Sequence, residues 1–262
     1  MKNLDSIFKI SVIIPCFNAE YTIEKCLRSI LSQTVTVKEI ICIDDGSTDL
    51  TVSLLKKIEK EVPSDINFII KTQKNSGPSA ARNFGLSIAT GNWIAFLDSD
   101  DYWVPEKTVT QLKYLYKYND VKLISSGNHG FKYRFINFKD LLFKNYFQTS
   151  STLVEKQVMI NHLFDESQKY SEDYKAWLSI IYSNKSIVTG EILAMSVKND
   201  IFYLGNGLSS KLWLMEKGEL SNFRFFYKQG KINKLIYCFI VYYSFIKYLR
   251  RLLIVKFRIN KC

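Results

Sequence analysis

The chain has 262 residues, 47% of them hydrophobic and 15% aromatic, which is enough for a full core and too apolar for a disordered protein. Lys and Arg exceed Asp and Glu by 36 to 25, and the formal charge of +11 points to an anionic partner such as a nucleotide, a nucleic acid or a membrane surface. Five cysteines are an odd number without metal-ligand spacing and suit a reducing compartment, while the short, mixed first ten residues argue against a cleaved signal peptide and for a cytosolic chain.

Ile10 to Ile14 is β-branched and apolar and predicts a buried strand, ended by Pro15 because proline supplies no ladder donor. Ile23, Leu27, Ile30 and Leu31 then follow helical spacing. Glu39 to Ile43 repeats the strand signal and runs into Asp44-Asp45-Gly46-Ser47, a turn leading to a second helix marked by Leu55, Ile58 and Val62. Ile66 to Ile70 predicts a third strand. Asn75-Ser76-Gly77-Pro78 is a loop opening a helix whose inner stripe is Ala81, Phe84 and Ile88.

Trp93 to Leu97 is apolar throughout and reads as a strand covered on both faces, and three carboxylates follow it in Asp98-Ser99-Asp100-Asp101. Ligands of open α/β sheets collect where strands finish, so these acids stand where a site is expected. Pro105 opens another helix, and Lys122 to Ser126 predicts a fifth strand. Strands alternating with helices imply a mainly parallel sheet with right-handed crossovers. Beyond Gly127 the alternation stops: the stretch to residue 150 is aromatic and basic, Thr152 to Val154 is a candidate strand, and Glu172-Asp173 opens a helix with acids in its first turn.

Each polar cluster has a plain structural reading and a chemical one. Asp98 and Asp100, one residue apart, can share a hard cation and its anionic ligand or simply cap a helix. Phe17 offers a face on which a pyrimidine can stack, Pro15 shapes the same loop, and both could be ordinary packing. Asp45 can accept from a base N–H such as that of uracil, thymine or guanine. Arg82 and the Glu172-Asp173 pair would otherwise be a solvated helix arginine and two N-terminal helix acids.

Pro15-Cys16-Phe17-Asn18, Asp44-Asp45-Gly46-Ser47, Asn75 to Arg82, Asp98-Ser99-Asp100 and Glu172-Asp173, in this order and spacing, resemble family 2 glycosyltransferases, and the likeness covers Ile10 to about Tyr182. It implies a GT-A-like α/β fold, a mainly parallel sheet flanked by helices, and inverting transfer from a nucleotide-sugar. By that resemblance Pro15, Phe17, Asp45, Arg82 and Asp98 bind the nucleotide, with Asp98 on the ribose. Asp100 holds Mn2+ or Mg2+ on the diphosphate, and Asp173, with Glu172 beside it, removes the acceptor's proton. Many relatives carry a histidine near the end of the catalytic domain, and the comparable Phe202 to Gly207 stretch has none.

The expectation is therefore a catalytic domain over residues 1–220 and a basic, aromatic, helical extension over 221–262 that associates with an anionic membrane surface. The donor is expected to be a UDP-sugar and the acceptor a glycan or lipid-linked hydroxyl in surface polysaccharide assembly, at the inner face of the cytoplasmic membrane. The rival readings are a sugar-nucleotide-binding or scaffold protein without catalysis and a nucleotidyltransferase. The latter lacks a basic phosphate-gripping loop near the first strand. Nucleic acid is not an expected partner, because no recognition motif accompanies the charge.

Overall fold

A computed structural model describes residues 7–197 and 211–259 of the protein, with side chains through Lys256. The Phe202 to Gly207 stretch lies outside the described residues. Four strands alternate with helices as the sequence predicts: β1 (Ile10–Cys16), α1 (Ile23–Leu31), β2 (Glu39–Asp44), α2 (Thr51–Glu59), β3 (Asn67–Thr72), α3 (Pro78–Ile88) and β4 (Trp93–Phe96). They form a parallel block in the order β3-β2-β1-β4. The chain walks outward from β1 to β3 and then returns to the other side of β1, so a crevice opens at the carboxyl ends of β1 and β4.

The rest of the sheet departs from simple alternation. After β5 (Asp101–Trp103) and α4 (Lys107–Lys117) comes β6 (Val121–Ser126), the predicted fifth strand, but it does not pair with β4. Between them lies β8 (Leu153–Glu155), antiparallel to both and one residue further along than the sequence suggests. The sheet continues through β9 (Lys185–Thr189) to β7 (Tyr133–Ile136) at its edge. β5 forms a separate hairpin-like ribbon with β10 (Ala194–Ser196). Short segments α5 (Phe138–Phe143) and α6 (Lys156–Ile160) precede α7 (Glu172–Ile181), and two long helices follow, α8 (Leu212–Lys228) and α9 (Lys234–Ile259). Residues 220 and 221, where the extension was expected to begin, fall inside α8.

Alternate residues of the central strands feed two cores. Val12, Ile14, Ile40 and Cys42 pack against α1, α2 and α4, whereas Ile13, Ile41 and Ile43 pack against α3 and α7, with Phe223 and Phe226 of α8 in the same cluster. Gly85 sets the approach of α3, since a Cβ there would stand 2.5 Å from the Ile13 side chain. Pro15 does not end its strand: it is buried in β1 in register with Ile43 of β2. β4 pairs with β1 only as far as Ile13, so the proline's missing N–H falls where the strand has a partner on one side alone.

Glu39 ties the amino ends of these strands together. Its buried carboxylate accepts hydrogen bonds from the Ser11 hydroxyl and from Thr90 and Gly91 in the α3–β4 connection. Burial pushes its pKa up, but these hydrogen bonds outweigh burial and hold it below the ordinary glutamate value. The stability it contributes is thus present above about pH 4.3, the unfolded value, and lost as pH falls through the folded one. Glu39→Gln should lower the urea midpoint at pH 7, with the gap from the wild type closing below about pH 4.

Candidate functional site

The carboxyl ends of β1 and β2 are knitted by their own polar side chains. Asn18, with a left-handed φ of 48°, accepts from the Thr48 amide at 2.9 Å, and the Ser47 hydroxyl accepts from the Asn18 amide at 3.0 Å. Phe17 projects from this seam and is half exposed. Asp45, only 4% exposed, receives the Gln73 amide and the Ser76 N–H on Oδ1 and the Gly77 N–H on Oδ2, each at 2.8 Å. Gly77 has φ 89° and Pro78 starts α3, so the loop between them suits one glycine and one proline in that order. Three of the roughly four acceptor positions of Asp45 are therefore occupied by the chain itself.

Arg82, in the second turn of α3, is 5% exposed and joins two acids from different elements. Its Nη2 lies 2.6 Å from Asp98 Oδ1 at the end of β4, and its Nη1 lies 3.1 Å from Glu172 Oε1 at the start of α7. Burial works against its charge, but Asp98 and Glu172 more than compensate and hold the guanidinium firmly protonated. The Asp98 N–H donates to the Ser150 hydroxyl, and the Asp101 N–H donates to the Asp98 carbonyl, closing a tight turn. Asp100 lies within that turn, where its carbonyl accepts from Val197 N–H.

The acid pair completes the crevice. Glu172 is buried and faces Arg82, while Asp173 is partly covered and accepts from the Thr149 hydroxyl at 2.9 Å. Burial first, then the neighbouring Asp173, push Glu172 up to about 7 against the pull of Arg82. Burial also raises Asp173, although Arg82, the Tyr174 N–H and Thr149 oppose it. A carboxylate raised toward neutrality is suited to exchanging protons with a hydroxyl.

Arg82, Asp98, Glu172 and Asp173 are thus brought into one polar network, and Phe17 and Asp45 line the neighbouring loops. The residues Thr149 and Ser150, which contact Asp173 and Asp98, were not anticipated. Their signal is the run Thr149-Ser150-Ser151, a short 3-10 turn whose hydroxyls have no separate meaning until β8 brings the turn beside β4. No group of three or more metal-capable side chains is found among the described residues. The donors that are present, Asp98 and Asp100, are hard oxygens, and their chemistry fits a divalent ion completed by diphosphate and water.

A sequence profile of the family described as Glycosyl transferase family 2 matches residues 11–164. An uncharacterized glycosyltransferase of Haemophilus influenzae is 33% identical over 264 residues, covering 91% of this chain and 97% of its own. A UDP-Glc:alpha-D-GlcNAc-diphosphoundecaprenol beta-1,3-glucosyltransferase of Escherichia coli is 34% identical over 184 residues, 66% of this chain and 70% of that one. Of several longer relatives the chain spans between 14% and 31%. Among solved structures, a mannosyltransferase of Pyrobaculum calidifontis in complex with GDP-Man and Mn2+ aligns with a TM-score of 0.67 at 17% identity, over 90% of this chain and 69% of that one. At that identity the likeness is one of fold, and the fold is the GT-A type that the motif order implied.

The raised Glu172 pKa has a sign that can be checked. The folded state holds this proton more tightly than the unfolded chain, so stability from the group is fully present below about pH 4.3 and lost as pH rises through about 7. Glu172→Gln removes the titration, and its urea midpoint relative to the wild type should improve between pH 5 and pH 8. A difference that is flat across that range would refute the assignment.

Proposed function

The chain belongs to glycosyl transferase family 2, and on that premise we propose that it moves a sugar from a UDP-sugar to a hydroxyl of a glycan or lipid-linked acceptor, inverting the anomeric centre. The observation that carries this reading is the buried Arg82 bridging Asp98 at the end of β4 and Glu172 beside Asp173, which joins a strand end to an acid pair. In this reading the uracil stacks on Phe17 in the loop that Pro15 shapes, and the remaining acceptor position of Asp45 takes a base N–H. Asp98 meets the ribose and Arg82 keeps it oriented. Asp100 would hold a Mg2+ or Mn2+ ion, whose charge stabilises the departing diphosphate.

Asp173 takes the proton of the acceptor hydroxyl as that oxygen attacks the sugar C1 from the face opposite the leaving nucleotide. Burial raises the affinity of Asp173 for that proton, and Glu172, held by Arg82, lies beside it. The E. coli relative named for a diphosphoundecaprenol acceptor supports a lipid-linked substrate, in keeping with assembly of a surface polysaccharide.

The C-terminal helices support a place at the inner face of the cytoplasmic membrane. From residue 211 onward there are 12 Lys and Arg residues but two acids, Glu216 and Glu219, and both acids turn inward to Arg251 and Lys247. Leu235, Phe239, Tyr242, Ile246, Leu249 and Leu253, three or four residues apart, form an exposed stripe along α9. No helix among the described residues is long and apolar enough to cross a membrane. A cationic helix with an apolar outer face is suited to lying in the headgroup layer of anionic lipid, and two such faces would repel one another.

Asp100→Asn should abolish transfer while leaving the fold intact, because an amide oxygen is a poorer ligand for a hard cation than a carboxylate. The check is turnover against Mn2+ concentration; full activity of the variant in chelator would end the metal assignment. Asp173→Asn should lose on the order of a hundredfold in turnover yet still bind UDP, and an equal loss of UDP affinity would move Asp173 into the donor site.

Ile240 is buried in the core, so deleting α9 would uncover it, and the membrane reading is better tested on the exposed stripe. Phe239→Ser, Ile246→Ser and Leu249→Ser together should release the protein from anionic vesicles in flotation while donor hydrolysis continues. Flotation equal to that of the wild type would contradict it.

A further inference from the structure

Ser171 stands immediately before the acid pair, in the left-handed region at φ 58° and ψ 27°. Among the described residues the other non-glycine with positive φ is Asn18, whose short amide tolerates that conformation. A serine held there persists where its surroundings over-determine it. Those surroundings belong to α8.

Asn222, fully buried, donates its amide to the Ser171 carbonyl at 2.8 Å and accepts from Gln168 Nε2 at 2.8 Å, and the same Gln168 nitrogen donates to the Tyr170 carbonyl at 2.9 Å. The Ser171 hydroxyl donates to the Met215 carbonyl at 3.2 Å. Gly218 lets α8 come so close that a Cβ there would stand 2.3 Å from the Tyr170 carbonyl oxygen. Met215, Gly218 and Asn222 are three and four residues apart and so share one face of the helix.

We propose that this face of α8 is a clamp that positions the acid pair through the backbone of Ser171. Asn222 and Gly218 are positioning residues: they hold Ser171 in its left-handed state, and α7 therefore starts with Glu172 turned to Arg82 and Asp173 turned to Thr149. Consecutive residues reach partners on α3 and on the 149–151 turn at 3.1 Å and 2.9 Å, and relaxation of Ser171 to negative φ would swing the first turn of α7 and break both contacts. α8 lies beyond the residues matched by the family profile, so the clamp is supplied by the C-terminal part of this chain. The inference rests on the reading of Asp173 as the base.

The full-length protein is assayed by release of nucleoside diphosphate from whichever UDP-, GDP- or dTDP-hexose the wild type turns over fastest. Asn222→Ala should lower kcat by about tenfold with the donor KM within about twofold, the mark of an interaction lost in the transition state rather than in binding. Adding Ser171→Gly should recover about half or more of that loss, because glycine enters the left-handed region without penalty. In an Asp173→Asn background Asn222→Ala should change kcat by less than about twofold, since groups that act as a unit are not additive.

Full kcat in Asn222→Ala, an independent loss on top of Asp173→Asn, or no recovery with glycine would each overturn the clamp. Full activity of Asp173→Asn alone would instead overturn the base assignment. A series at position 171 leaves α8 intact: Ser171→Asn should retain about tenfold more turnover than Ser171→Val, because a β-branched residue is an outlier at positive φ. Equal turnover of the two would contradict the proposal.

Discussion

The buried guanidinium of Arg82 is the constraint on which the crevice depends. A cation taken out of water is tolerated when opposite charges and hydrogen bonds replace its solvation, and here the replacement comes from two acids on two elements, Asp98 and Glu172. Removing one side of such a buried pair typically costs about 3–5 kcal/mol, because the other charge is left uncompensated. The ion pair is therefore also a geometric statement. α3, the end of β4 and the start of α7 cannot move independently without stranding a charge.

The supports around it are of two kinds. On one side, the loop after β1 is bound to the loop after β2 through Asn18, and the loop after β2 is bound to the Gly77–Pro78 corner through Asp45, which accepts from the Ser76 and Gly77 N–H groups. On the acid-pair side, the supports are long-range: the Thr149–Ser151 turn arrives from the strand inserted beside β4, and α8 arrives from the C-terminal region. The first side is complete once β1, β2 and the start of α3 are together, whereas the second needs the whole sheet and the helix pair in place. The acid pair is thus the part of the site most dependent on tertiary packing, which agrees with its raised pKa values, since burial is their first cause.

The C-terminal helices connect to both themes. Their inner face packs through Phe223, Phe226 and Ile240 into the same core that holds α7, and their acids Glu216 and Glu219 are consumed by Arg251 and Lys247. What remains outside is an apolar stripe and positive charge. One helix pair therefore packs against the segment before α7 on one side and presents an exposed apolar stripe on the other, a separation that follows from helical periodicity.

Much of this was legible in the residues. Periodicity located β1 to β4 and the helices between them, because a strand covered on both faces must be apolar throughout, and the family resemblance of the motif order marked Asp45, Arg82, Asp98 and Glu172-Asp173 as one set. Local pattern could not place β8 between β4 and β6, since pairing partners are chosen by long-range packing and a three-residue strand carries almost no periodicity of its own. For the same reason Thr149 and Ser150 read as an ordinary polar turn until that strand sets them against Asp173 and Asp98. Pro15 looked like a terminator because its missing donor matters only if a neighbour is there to accept, and the ladder on that side had already ended. The sequence by itself determined which side chains could do the chemistry; tertiary structure decided their burial and pairing, because desolvation and approach distance are properties of what packs around a residue and not of its neighbours in the chain.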